Sequence, residues 1–133
     1  MLPDSTDVSQ IVIPPITLEW SAWFSWEALI LDARRKDTGV RVPSTSGVYE
    51  AKHSASEERL TIGKASDLRL RIKQGLVKGK SPHSSGGGIR ATEDMSEIVV
   101  RWAVTERPSA VEEELHKRYK AQFGCLPIYT KRT

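Results

Sequence analysis

Chemistry-bearing residues are concentrated in one basic stretch. Residues 64–90 hold Lys64, Arg69, Arg71, Lys73, Lys78, Lys80 and Arg90 against Asp67 alone. Such a surface favours a polyanion, because each phosphate neutralised by Lys or Arg releases condensed counterions. Charge alone equally allows a solvated basic helix face and loop. Downstream, Glu112, Glu113 and Glu114 offer carboxylates at the start of an expected helix. There they complement the helix dipole, and Ser109 with Glu112 has the spacing of a capping box. Glu112 is therefore open to two readings, cap or ligand. His53, His83 and His116 are scattered without metal-ligand spacing, and the single cysteine, Cys125, has no partner for a disulfide or a zinc site.

The whole chain has 133 residues, 20 Lys and Arg against 17 Asp and Glu, and a net charge of +3. That charge is split: residues 1–33 hold five acids and no Lys or Arg, leaving twenty bases against twelve acids beyond. Length and composition fit one soluble domain with a modest core, and no apolar run is long enough to span a bilayer. No basic residue precedes Arg34, which argues against a secretory leader. With the lone cysteine, this leads us to expect a cytoplasmic protein without a membrane partner.

The elements that must position these residues follow from periodicity. Residues 1–10 are polar and expected to fray, and 11–15 to be extended before Pro14 and Pro15. Residues 17–35 read as a helix with Trp20, Trp23, Phe24, Ile30 and Leu31 on one side. Two strands, 47–51 and 59–63, form a hairpin about a polar turn. Ser66 suits an N-cap for a helix with Leu68, Ile72 and Leu76 on one face. Residues 77–92, with Pro82 and Gly86-Gly87-Gly88, read as a long loop. The alternation of Ile98, Val100, Trp102 and Val104 marks a third strand, and Pro108 opens a helix that Gly124 ends. The expected fold is α+β, a small, mainly antiparallel three-stranded sheet flanked by helices, with an extra N-terminal helix. Residues 1–45 form a Trp-rich extension and 46–133 the main domain. The Trp20, Trp23 and Trp26 group suits packing on the sheet better than base stacking, although docking of a partner by that helix is a third reading.

Gly47-Val48-Tyr49 and Thr61-Ile62-Gly63 lie eleven residues apart and are followed at once by a helix carrying Arg71. A third strand and a helix with Glu112 come next, then Pro127-Ile128-Tyr129-Thr130. This ordered set resembles the GIY-YIG nuclease family over residues 46–130. Thr61 stands where the family has its second tyrosine, Thr130 where it has a terminal asparagine, and Gly75 where a Tyr or His often follows the helix arginine.

The resemblance implies a metal-dependent endonuclease that hydrolyses DNA phosphodiesters with one divalent cation, Mg²⁺ or Mn²⁺, held by Glu112. It implies that Arg71 clamps the scissile phosphate and that Tyr49 orients or deprotonates the attacking water. Without the resemblance, Arg71 is a solvent-facing helix residue and Tyr49 a buried strand residue. Thr61 is given a positioning role, and Gly63 is expected to let the chain turn near the substrate. Lys64, Arg69, His83 and Arg90 are the candidate nucleic-acid contacts, with His83 able to replace a missing polar group. About forty-five residues precede the signature, too few for an independent targeting domain, so specificity would be low or would come from a second copy or a separate protein. The alternative is a degenerate module of the same fold that binds nucleic acid without cutting it.

Overall fold

A computed structural model describes residues 9–11, 15–33, 40–77 and 85–130. Its elements in chain order are β1 (Phe24–Ser25), α1 (Trp26–Ala33), β2 (Gly47–His53), β3 (Arg59–Ala65), α2 (Leu68–Leu70), α3 (Ser85–Thr92), β4 (Ile98–Val104) and α4 (Pro108–Phe123). Helix α2 widens without a break into a π-helical turn, Arg71–Val77. The sheet has four antiparallel strands in the order β1-β4-β2-β3, not three. The α+β class stands as expected.

The extra strand comes from the segment expected to be helical. Residues 15–23 are non-helical, Phe24 pairs with Val100, and the Ser21 amide donates to the Trp102 carbonyl at 2.8 Å. Beyond β2, the outer edge of β4 has backbone donors and acceptors that need partners. Pairing there overrides the helical spacing of Trp20 and Trp23. The helix proper starts at Trp26, where the Ser25 hydroxyl accepts the Ala28 amide. Its expected end at Arg35 lies outside the described residues, as do residues 1–8 and 12–14 of the extended N-terminal reading.

Strand alternation puts Tyr49, Ala51, Ile98, Val100 and Trp102 on one face, in a core with Trp26, Leu29, Leu68, Ile72, Leu76 and Ile89. Phe24 stacks on Trp102 at 5.1 Å. On the other face Val48 and Ala103 meet Val111 and Leu115 of α4, with Leu18 and Trp20. Glu50, on that face, accepts from Arg59 at 2.9 Å and from Arg101 at 2.8 Å. The Arg101 guanidinium lies 4.1 Å from the Trp20 ring centre and 4.5 Å from that of Trp23.

The largest departure is at 77–92, where α3 replaces the end of the expected loop. A Cβ on Gly86 would come within 2.5 Å of the Leu76 carbonyl oxygen, and one on Gly88 within 2.8 Å of the Tyr129 ring. The glycines serve close helix packing, which local propensity does not encode.

Candidate active site

Each element delivers one group to the same place. Residues 43–46 seat α2: the Thr45 carbonyl accepts from the Leu68 amide at 2.8 Å and the Pro43 carbonyl from the Arg69 amide at 3.0 Å. Asp67, not Ser66, is the N-cap; its backbone is extended and its carboxylate accepts from the Leu70 amide. Leu68, Ile72 and Leu76 then bury one face, leaving Arg71 on the exposed side. Gly75 keeps a place for the Arg71 chain: a Cβ there would lie 3.2 Å from Arg71 Cδ.

Tyr49 stands opposite Gly63 in the β2–β3 register, and its phenol lies flat over that glycine. A Cβ on Gly63 would meet the Tyr49 Cζ and hydroxyl at 2.5 Å. Strand β3 runs on to Ala65, so Gly63 does not make the turn into α2 as expected; it makes room for the ring. Glu112 is half-buried in the first half of α4. The capping box is not formed: α4 begins at Pro108, its N-cap Arg107 offers no side-chain hydrogen bond, and the Ser109 hydroxyl accepts from Lys64 Nζ at 3.0 Å. Thus Glu112 has neither a hydrogen bond nor an ion pair with another described residue. Arg71 is likewise without either.

These groups line one cleft of about 240 Å³ over the β3 edge: Tyr49, Thr61, Lys64, Arg71, Glu112 and Thr130. Tyr49 is only 6% exposed, and its hydroxyl has no hydrogen-bond partner among the described residues. Burial pushes the phenol above its ordinary value, Arg71 pulls it down by its positive charge, and Glu112 raises it further. Both charged groups are thus close enough to act on one hydroxyl, which stays protonated at neutral pH.

Thr61 is buried, and its hydroxyl lies 3.4 Å from that of Thr130. Thr130 Oγ1 also accepts from the Ile62 amide, Tyr129 donates its amide to the Leu60 carbonyl, and His116 donates Nε2–H to the Ile62 carbonyl. The C-terminal segment and one histidine thereby satisfy the open edge of β3.

The basic stretch divides. Lys64 and Arg71 reach the cleft, while Arg69 is exposed on α2 outside it. Lys73 is buried, and Arg90 turns inward to the carbonyls of Gly75 and Leu76. Arg90 therefore holds the end of the π-turn and is not in the cleft lining. His83, Lys78 and Lys80 lie outside the described residues. Ser85 and Gly86 also line the cleft, and the sequence reading missed them by treating α3 as loop. A serine before a glycine run is too common a pattern to single them out.

Among the described residues no three His, Cys, Asp or Glu cluster. A lone carboxylate such as that of Glu112 could hold a hard divalent ion that keeps most of its water, as Mg²⁺ does. The Arg71 guanidinium and Lys64 ammonium can hold a phosphate-sized anion beside it. No family model, curated protein or solved structure matches the chain. Among the described residues no helix is long and apolar enough to cross a membrane.

Proposed function

We propose that this chain is a metal-dependent endonuclease of the GIY-YIG type, hydrolysing DNA phosphodiester bonds. The supporting observation is the convergence of a phenol, a guanidinium and a carboxylate without a partner among the described residues, Tyr49, Arg71 and Glu112, on one cleft. They come from a strand, a π-turn and a separate helix, 22 and 41 residues apart in sequence. Elementary packing does not require an exposed arginine, a half-buried glutamate and a buried, unbonded phenol to face one another.

In this reading Arg71 binds the non-bridging oxygens of the scissile phosphate and offsets charge that builds as water adds to phosphorus. Lys64 adds a second positive charge at the β3 edge. Tyr49, held protonated by burial, orients the attacking water through its hydroxyl; it does not serve as the base. Thr61, through Thr130, holds the hairpin edge that carries Gly63 under the phenol. Glu112 would hold the divalent ion, which when bound polarises the phosphate and stabilises the leaving oxygen.

The test is Mg²⁺-dependent nicking of supercoiled plasmid. Glu112→Ala and Arg71→Ala should each cut roughly a hundredfold or more slowly, with little change in thermal unfolding because Arg71 is exposed and Glu112 is only half-buried and makes no hydrogen bond or ion pair with another described residue. Variants that nick as fast as wild type would remove the catalytic assignment. One observation favours a non-cutting module of the same fold: the Thr61 hydroxyl is buried and faces Thr130, so the cleft has a single phenol. DNA binding that survives Glu112→Ala, with no cleavage under Mg²⁺ or Mn²⁺, would select that module.

A further inference from the structure

The cleft continues at both ends. Beside it opens a hollow of about 570 Å³ that shares Lys64, Glu112 and Thr130 with it. The wall of that hollow is one face of α4. Ser109, Glu112, Glu113, His116, Lys117 and Lys120 recur at the three- and four-residue spacing that aligns side chains on a helix. On the opposite side a hollow of about 350 Å³ shares Arg71 and Gly75 with the cleft and passes Ser66 and Gln74. The three hollows thus adjoin in series, Arg71 shared by the first two, Lys64 by the second two, and Lys117 and Lys120 lining only the last.

Lys117 and Lys120 are exposed, and neither lies within ion-pair distance of a described carboxylate, although the Lys117 charge acts through space on Glu114. Their neighbour Arg118 differs: it lies on another side of α4 and pairs with Glu114 at 2.8 Å. From Glu112 to Lys120 the helix advances about 12 Å, enough for about three phosphates of one strand of a duplex. Resting on the nuclease reading for what occupies the cleft, we infer that the polar face of α4 carrying Lys117 and Lys120 is the track along which the DNA strand leaves the cleft. The two lysines contact successive phosphates beyond the scissile one. Lys64, bridging to Ser109 at the junction, joins cleft and track. Such contacts set register and affinity and carry no base information.

The experiment measures binding of a fluorescein-labelled 20-mer DNA duplex by anisotropy, in EDTA so that nothing is cut, across a salt series. The Lys117→Ala/Lys120→Ala variant should bind roughly tenfold more weakly, and its slope of log affinity against log salt should shrink by about two. Lys117→Ala alone should shrink it by about one, and Arg118→Ala, which removes the same charge from the next residue, by much less. Equal effects of Lys117→Ala and Arg118→Ala would overturn the track, because only net charge would then matter. Unchanged binding by the double variant, absence of binding by the wild-type chain, or equally tight, lysine-dependent capture of polyglutamate would overturn it as well. The two readings fail separately. A lysine-dependent slope in a chain that cuts nothing with Mg²⁺ ends the nuclease reading and leaves the track. Cleavage that depends on Glu112, with a slope indifferent to Lys117 and Lys120, ends the track alone.

Discussion

At the scale of single residues, hydrogen-bonding context decides what each titrating group does. Glu93 shows this outside the cleft. Its carboxylate accepts from the Tyr129 hydroxyl and lies 2.8 Å from His53 Nε2, tying the C-terminal segment to the end of β2. The Tyr129 hydrogen bond first, then that of His53, holds the carboxyl below its ordinary 4.5. A depressed carboxylate stabilises the fold above its unfolded value, and that contribution is lost as pH falls through the lower folded value. Stability should therefore decline below about pH 4.5, and Glu93→Gln should make the decline shallower. Urea midpoints of both proteins between pH 3 and 7 check this; parallel curves would show that the latch has no proton linkage. Tyr49 illustrates the same dependence inside the cleft, where its hydroxyl has no hydrogen-bond partner among the described residues.

At the scale of elements, two glycines set what α2, α3 and the hairpin can do. Gly63 lies within a strand, where an alanine ordinarily costs nothing, yet a Cβ would overlap the Tyr49 hydroxyl. Gly63→Ala should displace the phenol and lower the cleavage proposed for this cleft, read by plasmid nicking, while the β2–β3 hairpin persists. Gly86 lies within a helix, where alanine ordinarily gains about 1 kcal/mol. Here its Cβ would meet the carbonyl oxygens of Gly75 and Leu76 at 2.6 and 2.5 Å, both backbone atoms that cannot swing aside. Gly86→Ala should destabilise by about 1–3 kcal/mol instead, read as a lower urea midpoint at constant slope. A stabilised Gly86→Ala protein would show that α3 does not pack this tightly on the π-turn. The π-turn begins at Arg71, and widened turns of this kind recur at functional sites.

At the scale of the whole molecule, the sheet has a polar interior on one face. Glu50, with a side chain only 6% exposed, pairs with both Arg59 and Arg101, while Trp20 and Trp23 lie against the Arg101 guanidinium. The N-terminal segment thus covers this face and adds β1 to the sheet, and Trp26 and Leu29 of α1 enter the core on the opposite face. Removing one partner of a buried charge group leaves the others uncompensated, so Glu50→Ala should cost about 3–5 kcal/mol. Chemical denaturation measures it directly; a loss under about 1 kcal/mol would mean the two arginines find water instead. The same packing assigns the tryptophans to the covering of the sheet. The basic side chains of the cleft and of α4 remain on the surface.

Where a pattern is local, the amino-acid order determined the outcome. The alternation of 98–104 demanded β4, the paired runs around residues 53–58 demanded the hairpin, and Pro108 with Gly124, at φ 85°, bounded α4. The positions of Tyr49, Arg71 and Glu112 as candidates came from order and spacing. Their facing one another across a single cleft came only from the tertiary structure. So did the extended course of 15–25, the helix through Gly86-Gly87-Gly88, the cap at Asp67 and the inward turn of Lys73 and Arg90. Most of these features share one cause. Edge pairing with β4, glycine contacts and carbonyl hydrogen bonds join residues 10 to 81 positions apart, and interactions at that range override helical spacing and propensity.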